Sequence, residues 1–271
     1  MKISNSLRTR LKAKYGPWAV VTGASSGIGK ELAQRSAEAG LNVILVARSE
    51  MRLEILAKEL RSRHGVQAEV VVADLSNSGG TEKVIAAVTD YDVGLLIASA
   101  GFGTSGELIH GGLKEELEMI DVNCKSLFAL THHFARSFVD RGRGGIVLLS
   151  SMVALQGAPY TAHYAATKAY VQSLAEGLHV ELKSRNVDVL SAAPGPVDTG
   201  FEQRANMRMG NAQDVEQMGI PILKALGKRA TVFPGLLTKV LVYSLRMLPR
   251  WGRVRVMQLV MSGMTKHQRE S

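Results

Sequence analysis

Between Pro17 and Ala193 the chain alternates short, unbroken apolar runs with longer stretches whose apolar positions recur at helical spacing. The runs, rich in β-branched residues, are Trp18 to Thr22, Asn42 to Ala47, Ala68 to Ala73, Val93 to Ala98, Gly145 to Ser150 and Val187 to Ala192. Continuous apolarity marks strands covered on both faces, whereas a half-exposed strand alternates. Lys30 to Ala39 and Arg52 to His64, between runs, carry the helical period. Such repetition predicts an α/β fold, a parallel, doubly wound sheet. No Pro/Ser-rich linker or repeat interrupts it, so residues 1–271 are expected to form a single domain. Beyond Gly200 the chain turns Met-, Leu- and Arg-rich and the alternation lapses; residues 200–271 are expected to form a substrate-binding lid and helical C-terminal extension.

The first predicted strand runs into Thr22-Gly23-Ala24-Ser25-Ser26-Gly27-Ile28-Gly29, and a helical pattern follows at once. Gly23 suits a tight turn, Gly27 lets backbone approach a pyrophosphate, and Gly29 lets helix and strand pack closely. The helix start offers free N–H groups and a partial positive charge to phosphate. A glycine trio alone is only a turn; between strand and helix of a βαβ unit it predicts a nucleotide site. The second strand closes on Ala47 and Arg48, where an NAD site usually carries a carboxylate for the ribose 2′-hydroxyl. A guanidinium there suits a 2′-phosphate, so NADP(H) is preferred and NAD(H) stays open; a plain solvated arginine is the other reading. Asp74 also has two readings, an acceptor for the adenine amino group or part of the next helix's N-cap.

Ser151 follows the fifth run, and Tyr164 comes thirteen residues later. On a predicted helix over residues 161–184, Tyr164 and Lys168 share a face. A neighbouring ammonium favours the phenolate and lowers a tyrosine pKa of about 10, which makes the pair a proton donor with its tuner. The same spacing also occurs in ordinary surface pairs; the strand-end serine and the glycine loop give it meaning here.

TGASSGIG, Asp74, Ala98-Ser99-Ala100-Gly101, Asn123 in DVNCKSLF, the serines at 150 and 151, YAATK and PGPVDT at Pro194 to Thr199 follow one another in the order and spacing of the short-chain dehydrogenase/reductase family. Over about residues 15–200 the chain resembles that family, and KYGPWAVVTGASSGIG with LVARSE is most similar to its hydroxysteroid dehydrogenase and ketoacyl reductase branches. The resemblance implies a Rossmann fold and hydride transfer between a nicotinamide and a carbonyl or secondary alcohol. It makes Tyr164 the general acid, Ser151 the hydroxyl that polarises the carbonyl, Lys168 the residue that lowers the tyrosine pKa and holds the nicotinamide ribose, and Asn123 the support for a water leading to the lysine. Such donors aim where negative charge develops. The implied cofactor-facing set is Gly23, Ser25, Ser26, Gly27, Ile28, Gly29, Arg48, Asp74, Leu75, Ser99, Ala100, Gly101, Tyr164, Lys168, Pro194, Gly195, Val197 and Thr199, with Thr199 meeting the nicotinamide carboxamide. Two departures from the family pattern stand out: Ala98-Ser99-Ala100-Gly101 stands where Asn-Asn-Ala-Gly is usual, and Ser26 is uncharged where many NADP-using relatives carry Lys or Arg.

Composition narrows the partners. With 46% hydrophobic residues, 271 residues suffice for a full core, and no apolar run approaches the ~18 residues of a membrane-spanning helix. Cys124 has no partner and the histidines lack metal-ligand spacing, so no metal and a reducing, cytoplasmic setting are expected. Cys124 reads as core packing, His132 and His133 as structural, and His163 either as a residue near the site mouth or, the preferred reading, as a loop residue. The formal charge of +9 collects in residues 1–15 and 201–271, while the middle is slightly acidic. With aromatics at 5%, this does not suit nucleic acid. The basic start lacks the apolar stretch of a secretory leader and is read as part of the mature protein.

Met207 to Met218 reads either as a flexible substrate lid or as a core helix. Phe233 to Met264 predicts two amphipathic helices broken at Pro249. Their apolar faces have three candidate burials: over the substrate pocket, in a homo-oligomer (dimer or tetramer), or at an anionic membrane surface, where the basic termini would support peripheral contact. The expected activity is that of an NADP(H)-dependent oxidoreductase for a small apolar carbonyl or alcohol, steroid-like or acyl. The competing class is a catalytically idle NADPH-binding sensor or scaffold, against which the full set of Asn123, Ser151, Tyr164 and Lys168 weighs.

Overall fold

The computed structural model describes residues 2–210 and 212–269. Its elements in chain order are α1 (Asn5–Tyr15), β1 (Trp18–Thr22), α2 (Gly27–Glu38), β2 (Asn42–Ala47), α3 (Glu50–His64), β3 (Ala68–Val72), α4 (Ser78–Ala87), β4 (Val93–Ala98), α5 (Leu113–Ile120), α6 (Leu127–Arg141), β5 (Gly144–Leu149), α7 (Ala162–Glu181) and β6 (Val187–Ala192). There follow β7 (Val197–Asp198), α8 (Phe201–Arg204), β8 (Gln213–Asp214), α9 (Gly219–Ala225), β9 (Thr231–Val232), α10 (Leu236–Arg246) and α11 (Arg250–Met264). The doubly wound α/β sheet expected from the apolar runs is present: seven parallel strands in the order β3-β2-β1-β4-β5-β6-β9. Chain direction across the sheet reverses between β1 and β4, which opens a crevice at the carboxyl ends of these strands.

Each face of the sheet carries its own apolar cluster. One joins Val21, Leu45 and Ile97 to α1, α2, α3 and α9, and the other joins Val20, Ile44 and Leu148 to α4, α6 and α7. A third cluster lies at the strand ends, where Met152, Val153, Ala165 and Ala193 meet Val242 and Leu245 of α10 and Met257 and Met261 of α11. The two helices broken at Pro249 are thus present, packed against the crevice end of the sheet.

Two expectations are corrected, and the basic start takes a defined place. The lapse of alternation after Gly200 is incomplete, because α9 packs on the α2 side of the sheet and β9 pairs with β6 as the seventh strand. A two-residue strand leaves no readable apolar run. The Met207 to Met218 stretch is not one unit: Met218 is buried in the core, while β8 pairs with β7. The basic start is a helix docked on the body. Leu7, Leu11 and Tyr15 are buried, Arg10 donates to the carbonyls of Leu223, Lys224 and Leu226, and Lys14 pairs with Asp188.

Candidate functional site

The crevice is the mouth of a cavity of about 680 Å³. Every residue of the expected cofactor-facing set lines it, together with Ser151. Two glycines show why the loop after β1 has its composition. Gly23 holds φ +68, and a Cβ there would come within 2.9 Å of the Ala100 nitrogen; Gly27 holds φ +54 with the Thr199 side chain where its own would be. Both conformations are costly for any residue with a Cβ. Ser26, at the N-cap of α2, makes no side-chain cap, which leaves the first-turn N–H groups of a twelve-residue helix for an anion. The cradle fits the pyrophosphate of a dinucleotide.

The end of β4 is anchored by a residue that sequence reasoning passed over. The buried Thr22 hydroxyl accepts from the N–H groups of both Ser99 and Ala100 at 3.1 Å, which fastens the strand without an asparagine at position 99. Asn123 lies behind the cavity, in a π turn (Asp121–Ser126), a distortion that often marks functional sites. Its amide donates to the Phe102 carbonyl at 2.8 Å and to Thr167 Oγ1 at 3.0 Å, and its oxygen accepts from the Phe102 N–H at 3.1 Å. It therefore braces the loop after Gly101 against α7. Asp74 is not part of a helix cap: its carboxylate accepts from the Ser76 N–H at 3.0 Å, and Asn77 caps α4.

At the far end of β5, Ser150 Oγ donates to the Lys168 carbonyl at 2.9 Å, which ties the strand to α7. The Lys168 ammonium donates to the Leu149 carbonyl at 2.8 Å and stands 5.8 Å from the Tyr164 ring centre. Burial pushes Lys168 down to about 8. Burial also pushes the Tyr164 phenol upward, and a hydrogen bond with Ser151 pulls it partly back. The sequence expectation is corrected here: Tyr164's proton affinity is set by desolvation, to which the Phe201 ring, centred 5.2 Å away, contributes. His163 is also corrected, since it lies within α7 rather than a loop and its Nδ1 meets the Glu116 carboxylate, joining α5 to α7 one residue before Tyr164. Cys124 is half-buried, and burial pushes its thiol up.

Arg48 is exposed at the cavity mouth, just beyond the carboxyl end of β2. Glu118 of α5 lies 3.9 Å from it and 3.7 Å from Arg204, whose guanidinium stacks 4.2 Å from the Phe102 ring centre. Neither Glu118 nor Arg204 carries a local motif that marks it. On the other side, the Pro194 to Thr199 loop is held by Thr238 of α10, whose buried hydroxyl accepts from the Gly195 N–H at 3.0 Å and the Gln213 amide at 2.8 Å. Leu241, Leu245, Met257 and Met261 complete an apolar wall, joined by Met207 and Met209. The inner faces of α10 and α11 are buried over the pocket, while Leu236, Val240 and Tyr243 on the outer face of α10 are exposed. Among the described residues no group of His, Cys, Asp and Glu is disposed to hold a metal ion.

A parallel sheet with a glycine-loop cradle at its switch point and a cluster of buried Ser151 and Lys168 with half-buried Tyr164 defines a dinucleotide-binding oxidoreductase. The short chain dehydrogenase profile matches residues 17–210, and the chain belongs to that family. A 7beta-hydroxysteroid dehydrogenase of Mediterraneibacter gnavus is 30% identical over 238 residues, 83% of this chain and 88% of that protein. The human inactive hydroxysteroid dehydrogenase-like protein 1 is 33% identical over 204 residues, 72% of this chain and 61% of that one. A solved 7beta-hydroxysteroid dehydrogenase structure superposes with a TM-score of 0.84 at 30% identity, covering 91% of this chain and 98% of the other. A Sphingobium yanoikuyae short-chain dehydrogenase in complex with NADPH gives 0.76 at 32% identity, covering 81% and 87%.

Proposed function

We propose that this protein transfers hydride between NADP(H) and the carbonyl or carbinol carbon of a bulky, apolar, steroid-like molecule. One observation carries the reading: a single cavity is lined by the glycine-loop cradle, by Ser151, Tyr164 and Lys168, and by an apolar wall of Leu, Met and Val side chains. The nicotinamide, when bound, supplies the hydride in reduction and takes it in oxidation. The raised phenol stays protonated at neutral pH, the form that gives its proton to a carbonyl oxygen as charge develops there. The Ser151 hydroxyl is the second donor to that oxygen. Lys168, fixed on the Leu149 carbonyl, keeps a positive charge beside the tyrosinate that remains after the proton has moved. Asn123 acts as a positioning residue through Phe102 and Thr167.

Arg48 supports NADP(H) over NAD(H), as does the relative solved with NADPH. Asp74 is set to accept from the adenine and Thr199 to meet the carboxamide. The chain works as one unit, with α8, α10 and α11 covering the pocket while α9 and β9 complete the sheet. The relatives named for 7beta-hydroxysteroid dehydrogenase activity favour a sterol-sized ketone. The test is NADPH consumption against steroid ketones, acyl thioesters and small aldehydes. Turnover is expected with the bulky ketones and not with the small aldehydes. NADPH binding without turnover of any of them would make the protein an idle binder, as one relative's name suggests for that relative.

A further inference from the structure

We propose that the turn between α10 and α11, with the outer face of α10, docks this protein on an anionic lipid surface. Leu236, Val240, Tyr243 and Met247 recur along α10 at the spacing of one helical face and are 77%, 56%, 56% and 87% exposed, while Thr238, Val242 and Leu245 on the other side are buried. Past the turn, the first residues of α11 add Trp251, 74% exposed. Lys239, Arg246, Arg250 and Arg255 are exposed among these side chains, and the sequence has no Asp or Glu between Glu216 and Glu270. An apolar face with an interfacial tryptophan and only positive charge is complementary to acyl chains under anionic headgroups. The face does not suit a twofold contact with a second copy, because such a contact sets the same patch against itself and brings arginines together with no carboxylate to pair them. Of the N-terminal cations, Arg10 and Lys14 are engaged by the protein body.

The face also reaches the site. Leu248 and Val260 are both exposed and part of the cavity lining, so the apolar wall opens toward the proposed lipid side. Docking would let an apolar substrate pass from the bilayer to Tyr164 without crossing water. This entry route, unlike the docking, rests on the lipophilic-substrate reading.

The test is co-sedimentation of the full chain with phosphatidylcholine vesicles, with and without phosphatidylglycerol, at low and high salt. Binding is expected only to the anionic vesicles, and high salt should weaken it. Trp18 is buried, so a blue shift in tryptophan emission on binding should vanish in Trp251→Phe. Removing one charge, as in Arg250→Gln, should weaken binding by roughly fivefold. The pair Met247→Glu and Trp251→Glu should abolish it while leaving NADPH affinity intact, which shows that the variant is folded. No binding to anionic vesicles at low salt overturns the proposal, as does binding that the paired substitution leaves unchanged. A dimer dissolved by that pair, without vesicle binding, would assign the face to a second copy. None of these readouts uses turnover, so a failure of the catalytic reading is distinguishable from a failure of this one.

Discussion

Lys168 donates to the carbonyl of Leu149, 2.8 Å away, at the end of the strand that presents Ser151. The ammonium is buried and its proton affinity falls from 10.5 to about 8. In the unfolded chain it keeps its proton until near 10.5, so between the two values the unfolded state binds more protons and stability rises with pH. Lys168→Met removes this dependence. Relative to that variant, the parent should gain up to about 3 kcal/mol between the two pH limits, read from urea midpoints. Ketone reduction by the parent should fall as pH rises through about 8, because the charge beside Tyr164 is lost. Parallel stability curves for the two proteins would contradict the account.

Arg48 and Arg204 share Glu118. Arg48→Ala should weaken NADPH about tenfold and NADH hardly at all, since only NADPH carries the extra phosphate and the guanidinium is exposed. Glu118→Gln removes the carboxylate that competes for that guanidinium and should tighten NADPH by a few-fold. Titration of both cofactors by fluorescence checks this; equal changes for the two would remove Arg48 from 2′-phosphate recognition.

Thr22 holds two backbone N–H groups at the end of β4. Thr22→Val leaves them without their acceptor and should cost about 1–3 kcal/mol of stability, with Thr22→Ser recovering most of it. A valine variant as stable as the parent would show that water replaces the hydroxyl.

What the sequence reveals of this site follows from how local each signal is. Gly23, Gly27 and the Tyr164–Lys168 pair sit within single turns or helices, so local spacing, read together with the strands beside it, locates them. Glu118, Arg204 and Thr238 reach the site only through tertiary folding, and no pattern near them announces it. Lys168, four residues from Tyr164, suggested a lowered phenol, but burial, which no spacing reports, decides the direction. β9 is too short to show a run, and α1 is recognisable as a packed helix only once Tyr15 meets Asp188, 2.6 Å away across 173 residues of chain.

Tyr164→Phe tests the central claim most directly, with NADPH affinity and ketone-dependent NADPH consumption measured on the same preparation. The phenol is the proton donor in this account, so affinity should stay within a few-fold of the parent while turnover falls at least ~10²-fold, the usual size of a general-acid contribution. Turnover within a few-fold of the parent would contradict it.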